Sequence, residues 1–292
     1  MENLAGLAEF ELLTLKSGVK TLRSKVRRET FHPGIGPIIE ANILHVDQQR
    51  LVERSAEVPK FVIWDVGLGA AANVLAAITA LKNSNGPSDI EIHSFDKTTS
   101  PLAFALQHAE ALGYVVPYQS EIRQLLAEKS VVITPKIRWW FHLGDFRDPL
   151  QDRQLSSPHS ILYDPYSAIG NMEMWTLEHF QNLWKALDPN VPCLLSNYTR
   201  STAIRTTLLL AGFFVGRGCD IGEKAETTLA SNHLDLLQFP LDRSFIERVR
   251  LSDNSAPLRS MVYSHSRMND ADFELLQKAS QFDLGIKHKA VG

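Results

Sequence analysis

Cysteine is scarce in this chain, and the few cysteines present lack the spacing of a metal site. The 292 residues include only Cys193 and Cys219, and neither lies in a CxxC or Cys/His ligand pattern. This scarcity argues against a disulfide scaffold and against a zinc site. We therefore expect no bound metal.

Long hydrophobic runs and a leader segment are also lacking. The longest apolar run, residues 208–215, is far shorter than the roughly 20 residues that cross a bilayer. Residues 1–4 do not have the charged-then-apolar layout of a signal peptide. We expect a cytoplasmic protein without membrane contact.

The chain has no strong excess of charge of either sign. Its net charge is −3, with 44% apolar and 22% charged residues, which are ordinary values for a globular enzyme. Such a charge gives no general attraction to nucleic acid, so binding of that kind would depend on a local patch. The length is sufficient for one large domain with a full core.

A glycine-rich turn lies between an apolar run and an alanine-rich helix. Residues 61–66 are apolar apart from Asp65, Gly67 and Gly69 follow, and residues 70–81 have helical composition. Glycine allows a ligand to approach the backbone closely, and a helix N-terminus offers free N–H donors. A GxG turn is equally consistent with a purely structural strand-to-helix connection. The acid that ends the next apolar run, Asp96, favours a nucleotide-like ligand, because a carboxylate there can accept both ribose hydroxyls.

Strands and helices alternate regularly after residue 60, which predicts parallel βαβ units. The glycines between the last two strands predict that this pair is antiparallel. We expect a Rossmann-like α/β fold of the class I methyltransferase type, with a mostly parallel seven-stranded sheet, helices on both faces and an antiparallel last strand. Strands are predicted at 61–66, 90–95, 137–143, 160–164, 192–197, 213–217 and 226–231, and helices at 71–82, 100–113, 119–128, 175–187 and 200–211. The predicted divisions are an N-terminal segment packing on or capping the core (1–60), a cofactor-binding domain (61–231) and an extension of unknown role (232–292).

Acidic residues follow three successive strands after the glycine turn, at the edge where open parallel sheets bind ligands. They are Asp96, Asp145 and Asp164. The glycine turn also matches the GxGxxA form of the dinucleotide fingerprint, so NAD remains an alternative at this point. Asp145, placed to accept from an adenine amino group, and the Asp-Pro-Tyr turn at Asp164 favour S-adenosylmethionine.

One segment carries a closer resemblance. Residues 164–176, Asp-Pro-Tyr-Ser-Ala-Ile-Gly-Asn-Met-Glu-Met-Trp-Thr, resemble the strand-four turn of the MnmC methyltransferase domain family, where Asp-Gly-Phe-Ala-Pro precedes Asn-Pro-x-Met-Trp-Thr. The match spans roughly residues 30–231. Ala71, Pro165 and Ser167 depart from the family pattern, and no proline follows Asn171. The other matching features are Gly36 to Glu40, Gly67-Leu68-Gly69 with Asn73, Phe95-Asp96-Lys97, Gly144-Asp145, and Gly222 with Lys224.

The resemblance implies methylation of the aminomethyl group on a wobble uridine of transfer RNA, with S-adenosylmethionine as cofactor. Some members carry a flavin-dependent oxidase domain, which we do not expect within this chain. The predicted cofactor-binding residues are Glu40, Gly67, Gly69, Asn73, Asp96, Asp145 and Phe146.

An alkyl amine is mostly protonated at neutral pH and must lose a proton before it can attack a methyl group. Asp164 is the predicted group that takes or relays this proton. Tyr166 is predicted to pack against the uracil, and packing over the cofactor is its alternative role. His32 and His142 are alternative bases.

A basic stretch gives a possible contact for transfer RNA. Six Lys or Arg residues occur between Lys16 and Arg28, where no acid is present. They would contact phosphates without reading bases, and the alternative is a solvated surface. Two other functions stay open: methylation of a small molecule or protein, and a cofactor-binding interaction module without catalysis.

Overall fold

A mostly parallel sheet of eight strands forms the centre of the molecule, and a separate three-stranded antiparallel sheet precedes it in the chain. The computed structural model describes residues 4–84, 86, 88–152, 155–221 and 226–283. The small sheet contains β1 (Phe10–Thr14), β2 (Lys20–Ser24) and β3 (Glu29–Thr30). The large sheet contains β4 (Lys60–Val66), β5 (Asp89–Asp96), β6 (Ser130–Thr134), β7 (Ile137–Leu143), β8 (Ser160–Tyr163), β9 (Leu194–Asn197), β10 (Phe214–Arg217) and β11 (Thr228–Ser231).

The large sheet has the order β10-β11-β9-β8-β4-β5-β7-β6. Strands β7, β5, β4, β8 and β9 are parallel, whereas β11 is antiparallel to both β9 and β10. The chain moves to one side of β4 through β5 and β7, and to its other side through β8 and β9. The change of direction lies between β4 and β8, which is where an open α/β sheet binds its ligand.

Helices lie along both faces of this sheet. The α-helices are α1 (Leu4–Leu7), α2 (Pro37–Ala41), α3 (Leu51–Ala56), α4 (Ala72–Lys82), α5 (Ser100–Gln107), α6 (Ala109–Leu112), α7 (Gln119–Glu128), α8 (Pro149–Asp152), α9 (Leu177–Ala186), α10 (Thr202–Ala211), α11 (Arg243–Leu251), α12 (Asp270–Gln277) and α13 (Ser280–Asp283). A π-helix, Asn42–Asp47, continues α2.

Two large apolar clusters cover the two faces of the sheet, as alternating strand side chains require. Helix α4 packs with α5 and α7 in one cluster, which also contains Phe10 and Leu22 of the small sheet. Helices α9 and α10 form the other cluster together with Phe245 and Leu276 from the C-terminal part. Segments before and after the sheet thus complete its core, and the predicted division at residues 60 and 231 stays a prediction.

The predicted fold class is confirmed, with differences in detail. All seven predicted strands are present, and the predicted antiparallel pairing of the last two, β10 and β11, is correct. The sheet has an eighth strand, β6, which pairs antiparallel with β7 at the edge and was not expected. The predicted helix 100–113 is interrupted at His108 between α5 and α6. Gly222 and Lys224 of the family pattern lie outside the described residues.

The C-terminal part covers the outer edge of β10. Leu241 N–H donates to the Val215 carbonyl over 2.8 Å. The Gln281 amide accepts from Val215 N–H at 2.6 Å and donates to the Val215 carbonyl at 2.8 Å. These bonds satisfy backbone groups that an edge strand would otherwise expose.

A buried carboxyl group lies on the central strand directly before the glycine turn. Asp65 is 1% exposed and accepts a 2.7 Å hydrogen bond from the Ser94 hydroxyl, which in turn accepts from Trp139 Nε1. Burial raises the pKa of Asp65 to about 7; the Ser94 bond opposes this shift, and the charges of Asp164 and Asp96 add to it. The neutral form is therefore the one that the fold favours.

We predict that Asp65→Asn becomes progressively more stable than the wild type as the pH rises. Because the folded-state pKa is raised, the stability from the neutral carboxyl is present near pH 4 and is lost as the pH approaches 7. The variant cannot ionise, so its relative free energy of unfolding should increase by roughly 2–3 kcal/mol between pH 5 and pH 8. Urea unfolding at both pH values measures this. Asp89→Asn, at an exposed position on β5, is the control, and the same trend in both variants would contradict the prediction.

Candidate functional site

The glycine turn after β4 brings two strand ends close together. Gly67 has φ +90°, and a Cβ atom there would lie 2.6 Å from the Asp164 carbonyl oxygen. Gly69 has φ +51°, and its Cβ would lie 3.0 Å from the Phe31 ring. Both the left-handed backbone and the close approach require glycine. The sheet therefore places Asp164 beside the turn, as its position directly after a strand predicts.

A cavity of about 390 Å³ lies at this edge of the sheet. Its wall combines the glycine turn, the ends of β5 and β8, and residues of the small sheet. The predicted site residues that line it are Glu40, Gly67, Gly69, Asn73, Asp96, Phe146, Asp164 and Tyr166, together with the alternative base His32. The structure thus brings all but one of the predicted site residues to one cavity, while their individual roles stay predictions.

Asp96 is fixed at the end of β5 by backbone donors. Its two carboxylate oxygens accept from Gly69 N–H at 2.9 Å and from Thr98 N–H at 3.1 Å. Burial raises the pKa of the Asp96 carboxyl, and these N–H donors oppose the shift. The side chain links the glycine turn to the neighbouring strand and lines the cavity with its carboxylate, which suits a ribose.

Asp164 is oriented by a side chain from the helix that follows the glycine turn. Asn73 Nδ2 donates to Asp164 Oδ2 over 2.7 Å. Asn73 is 4% exposed, and its Oδ1 atom is buried without a hydrogen-bond partner in the part of the chain that the structure describes. A buried acceptor of this kind at the cavity wall is suited to a ligand N–H or O–H group.

Asp145 is the predicted site residue that does not line the cavity. Its carboxylate binds Arg147 at 2.6 Å and Lys97 at 3.0 Å. The Arg147 hydrogen bond, with Lys97 contributing, holds the pKa of Asp145 far below its usual range. Its predicted contact with adenine stays a prediction, and any such contact would compete with two cations.

The small sheet β1–β3, here named the capping sheet, covers one side of the cavity. Glu29 accepts from Ser167 N–H at 3.0 Å and from the Ser167 hydroxyl at 2.7 Å, and Arg27 donates to the Gly170 carbonyl. The Arg27 guanidinium also lies 5.5 Å from the centre of the Tyr166 ring. The capping sheet therefore contacts the turn that starts at Asp164 through several independent interactions.

Tyr166 has aromatic and cationic neighbours. Its ring packs edge-on against Phe31, with 5.6 Å between the centroids. Burial raises the pKa of the Tyr166 phenol to about 12, while the Ser24 hydroxyl opposes the shift. The phenol is therefore neutral at physiological pH, which fits a packing role and leaves both predicted positions of the ring open.

The Met174-Trp175-Thr176 motif supports the turn that begins at Asp164. Trp175 is fully buried, and its indole N–H donates to the Tyr166 carbonyl at 2.8 Å. Tyr163, the residue before Asp164, donates its hydroxyl proton to the Met174 carbonyl. Thr176 caps α9 by accepting from His179 N–H. The most specific part of the family resemblance is thus a support for the site.

The two alternative bases occupy different environments. His32 lines the cavity, with Nε2 3.9 Å from Asp164 Oδ2. His142 lies away from the cavity lining; its ring stacks on Phe95 and its Nε2 is 2.9 Å from His93 Nδ1. Burial lowers the pKa of His142. Trp139 on the same strand is fully buried.

Several cavity residues were not expected from the sequence. Phe31 and Tyr198 contribute rings, and Lys97 contributes a cation that also binds Glu173 at 3.0 Å. Tyr198 immediately follows the end of β9. Inspecting the residues after this strand, as was done for the three strands with acids, would have found it. Phe31 lies where the family resemblance begins and has no motif of its own.

Comparison with known proteins agrees with the fold. Residues 117–233 match a family model described as S-adenosyl-L-methionine-dependent methyltransferase. The structure is similar to the crystal structure of MnmC2 from Aquifex aeolicus, with a TM-score of 0.70, 24% identity, and 92% of this chain and 85% of that chain covered. The fold, glycine turn and matched model define the class: S-adenosylmethionine-dependent methyltransferases of the class I fold.

Curated proteins of one name are similar to part of this chain. The chain is 24% identical over 247 residues to the tRNA 5-methylaminomethyl-2-thiouridine biosynthesis bifunctional protein MnmC of Burkholderia mallei (strain SAVP1), covering 76% of this chain and 37% of that protein. It is 27% identical over 206 residues to the protein of the same name from Ectopseudomonas mendocina (strain ymp), covering 64% and 30%. The predicted resemblance to the MnmC methyltransferase domain family is confirmed. The chain spans about a third of the length of these relatives.

The cavity fits the cofactor of that class, S-adenosylmethionine, and the matched family model confirms the prediction of this cofactor. At Gly67 a Cβ atom would obstruct the turn. Asp96 ends β5 beside that turn, and the buried Asn73 Oδ1 needs a hydrogen-bond donor. Across residues 4–283, leaving aside the gaps given above, no cluster of three or more His, Cys, Asp or Glu side chains could hold a metal ion. Nor is any helix in those ranges long and apolar enough to cross a membrane.

We predict that Asp96→Ala weakens S-adenosylmethionine binding tenfold to a hundredfold. Loss of a charge-assisted acceptor for a ribose costs about 1.5–3 kcal/mol. Asp145→Ala is the matched control and should cost less, because Asp145 does not line the cavity and binds Lys97 and Arg147 instead. Calorimetric titration of both folded variants gives the affinities. Equal losses would show that the two carboxylates do not differ as the geometry indicates.

Proposed function

We propose that this protein transfers a methyl group from S-adenosylmethionine to the aminomethyl group of a modified wobble uridine in transfer RNA. The observation that carries the proposal is the position of the Asp164 carboxylate, which faces the cavity beside the glycine turn and is held by Asn73. The curated relatives are named for biosynthesis of 5-methylaminomethyl-2-thiouridine in tRNA, and methylation of an aminomethyl group gives a methylaminomethyl group.

The chemistry requires alignment more than covalent catalysis. When bound, S-adenosylmethionine supplies a methyl group that the sulfonium already activates toward displacement. The residues of the chain must therefore hold the acceptor nitrogen in line and keep its lone pair available. An ammonium group donates readily to a carboxylate, so Asp164 would bind and orient the acceptor nitrogen.

The walls of the cavity match an acceptor that combines a ring with a cation. The rings of Phe31, Tyr166 and Tyr198 provide apolar surface on which a base can pack. Asp164 provides the negative charge at one end of that surface. The supporting contacts from Trp175 and Glu29 hold the turn that carries both Asp164 and Tyr166.

The basic stretch lies on the capping sheet, beside the cavity. Lys16, Lys20, Lys25 and Arg28 are exposed, and Arg27 both lines the cavity and contacts Tyr166. Phosphates of an RNA whose base enters the cavity would pass over this surface. We therefore assign the transfer RNA contact to residues 16–28, and such an acceptor would place the enzyme in the cytoplasm.

A direct assay tests the proposed function. The purified protein is incubated with S-adenosylmethionine and transfer RNA that carries a 5-aminomethyl wobble uridine, and nucleosides are analysed by mass spectrometry. We expect the mass of the modified nucleoside to increase by one methyl group. Transfer RNA without the aminomethyl group is the control. Methylation of other molecules but not of this RNA would indicate a small-molecule or protein methyltransferase, and cofactor binding without any methylation would indicate an interaction module.

We predict that Asp164→Asn lowers turnover on the order of a hundredfold or more, with little change in cofactor affinity. The substitution keeps the size of the side chain and an oxygen that can accept from Asn73, but it removes the negative charge. Part of the lost rate should return at high pH, where the acceptor amine deprotonates unaided. Single-turnover rates from pH 7 to 9.5 and cofactor titrations measure the two effects. Normal turnover at pH 7 in a folded variant would make Asp164 a structural residue.

We predict that Lys20→Ala combined with Lys25→Ala weakens transfer RNA binding and reduces its salt dependence. Each lost phosphate contact should flatten the slope of log affinity against log salt by about 0.7–0.9. Lys82→Ala combined with Lys136→Ala removes the same charge from exposed positions near the opposite edge of the sheet and should leave the slope unchanged. Binding measured at several salt concentrations compares the variants. If the two double variants have equal slopes of log affinity against log salt, the capping sheet is excluded as the RNA contact.

A further inference from the structure

His32 is held at the cavity wall by an unusual backbone conformation. Its φ is +47°, which L-residues adopt rarely, and the following Pro33 disfavours the right-handed helical alternative. The preceding Phe31 is fixed to the capping sheet, because its N–H donates to the Leu22 carbonyl at 2.8 Å. A strained histidine in a cavity wall is a feature that folds keep at functional positions.

The imidazole faces the same carboxylate oxygen that Asn73 holds. His32 Nε2 lies 3.9 Å from Asp164 Oδ2, and the two side chains are 11% and 19% exposed. This distance is shorter than two hydrogen bonds placed end to end, so one nitrogen atom about 2.9 Å from each atom would contact both. The pair therefore forms a two-sided binding point for an amine.

We propose that His32 is a catalytic residue that takes the proton from the acceptor ammonium while Asp164 holds the nitrogen. The inference rests on the function proposed above and assigns its proton transfer. Asp164 accepts one N–H of the ammonium, and neutral His32 Nε2 accepts another and removes that proton. The resulting imidazolium is stabilised by the Asp164 carboxylate beside it.

The step balances in atoms and charge. The N–H bond of the ammonium breaks, its electron pair stays on nitrogen, and the proton forms a new N–H bond at Nε2 of His32. The neutral amine turns about its C–N bond and directs the lone pair at the methyl group. The N–CH₃ bond would form as the S–CH₃ bond of the sulfonium breaks, with that electron pair staying on the departing neutral sulfur. The product is a secondary ammonium, so one proton is released per turnover. The partly exposed edge of His32 passes that proton to water.

The charges around His32 favour a cationic acceptor. The charged side chains of the lining are mainly acidic, with two basic ones. His45 on the π-helix interacts electrostatically with His32. Burial lowers the pKa of His45 to about 3, and the interaction with His32 contributes to this shift. His45 is therefore neutral and adds no charge near the cavity. The other ionisable residues of the lining are Glu9, Arg27, Glu29, Glu40, Asp96, Lys97, Asp164, Tyr166 and Tyr198.

Two substitutions test His32 without disturbing its backbone. His32→Asn tolerates a positive φ and keeps a polar side chain, but it cannot accept a proton at neutral pH. His32→Gly also tolerates this backbone and leaves space for an imidazole molecule from solution. His142→Gln is the matched control, because His142 is the other candidate histidine and lies away from the cavity lining.

We expect His32→Asn to reduce single-turnover methylation of 5-aminomethyl-uridine transfer RNA about a hundredfold at pH 7. The deficit should shrink as the pH rises toward that at which the amine deprotonates unaided, whereas a merely structural defect would be constant with pH. Added imidazole should restore turnover of His32→Gly at pH 7, but not that of Asp164→Asn. Cofactor affinity should be unchanged in all of these variants. The His142→Gln variant should retain wild-type turnover and pH dependence.

A spectroscopic measurement adds a readout that does not depend on turnover. In NMR spectra, the imidazole resonance that is missing from His32→Asn belongs to His32. This resonance should shift in Asp164→Asn, because the His32 imidazole faces the Asp164 carboxylate. Wild-type turnover and pH profile in folded His32→Asn, or failure of imidazole to rescue His32→Gly, would overturn the role of His32 alone. A wild-type protein that does not methylate the RNA would overturn the proposed function and this inference with it.

Discussion

The close approach of two backbones at the centre of the sheet determines the rest of the site. Gly67 and Asp164 end adjacent parallel strands, and Asp164 N–H donates to the Val66 carbonyl at 3.0 Å. No side chain fits between them, since a Cβ atom on Gly67 would meet the Asp164 carbonyl at 2.6 Å. This contact places the cofactor turn and the acceptor carboxylate side by side. Asn73 and the capping sheet hold the turn that starts at Asp164, and Asp96 holds the glycine turn.

The strands and helices that could be predicted are those whose structure is determined by a local sequence pattern. Buried strands such as β4 and the helix α9 were predicted because residues that are neighbours in sequence share one environment there. The helical segment from α2 to α3 was missed because its buried residues include His45, Gln49 and Arg54. These polar groups bond to Ser196, Ile161 and His159 on distant strands, and the sequence does not reveal such partners.

The same distinction applies to the site. Strand-end acids were predicted from topology alone, and Asp96 and Asp164 line the cavity. Asp145 has the same topological position but turns toward Lys97 and Arg147, a choice that depends on side-chain conformations. The capping sheet is followed by Phe31, which lines the cavity and belongs to no recognisable motif. Its contacts with the Asp164 turn span about 140 positions of sequence, as the separation of Glu29 and Ser167 shows.

The bonds between Gln281 and β10 have a consequence for biosynthesis. A ribosome releases the N-terminal strands first, and the side chain that seals the sheet edge follows only after some 60 further residues beyond β10. Until then, the Val215 N–H is open to any neighbouring chain, and its carbonyl has only the bond from Leu241 N–H. The nascent protein thus passes through a stage with a full set of strands and an incompletely protected edge, in which self-association competes with completion of the fold.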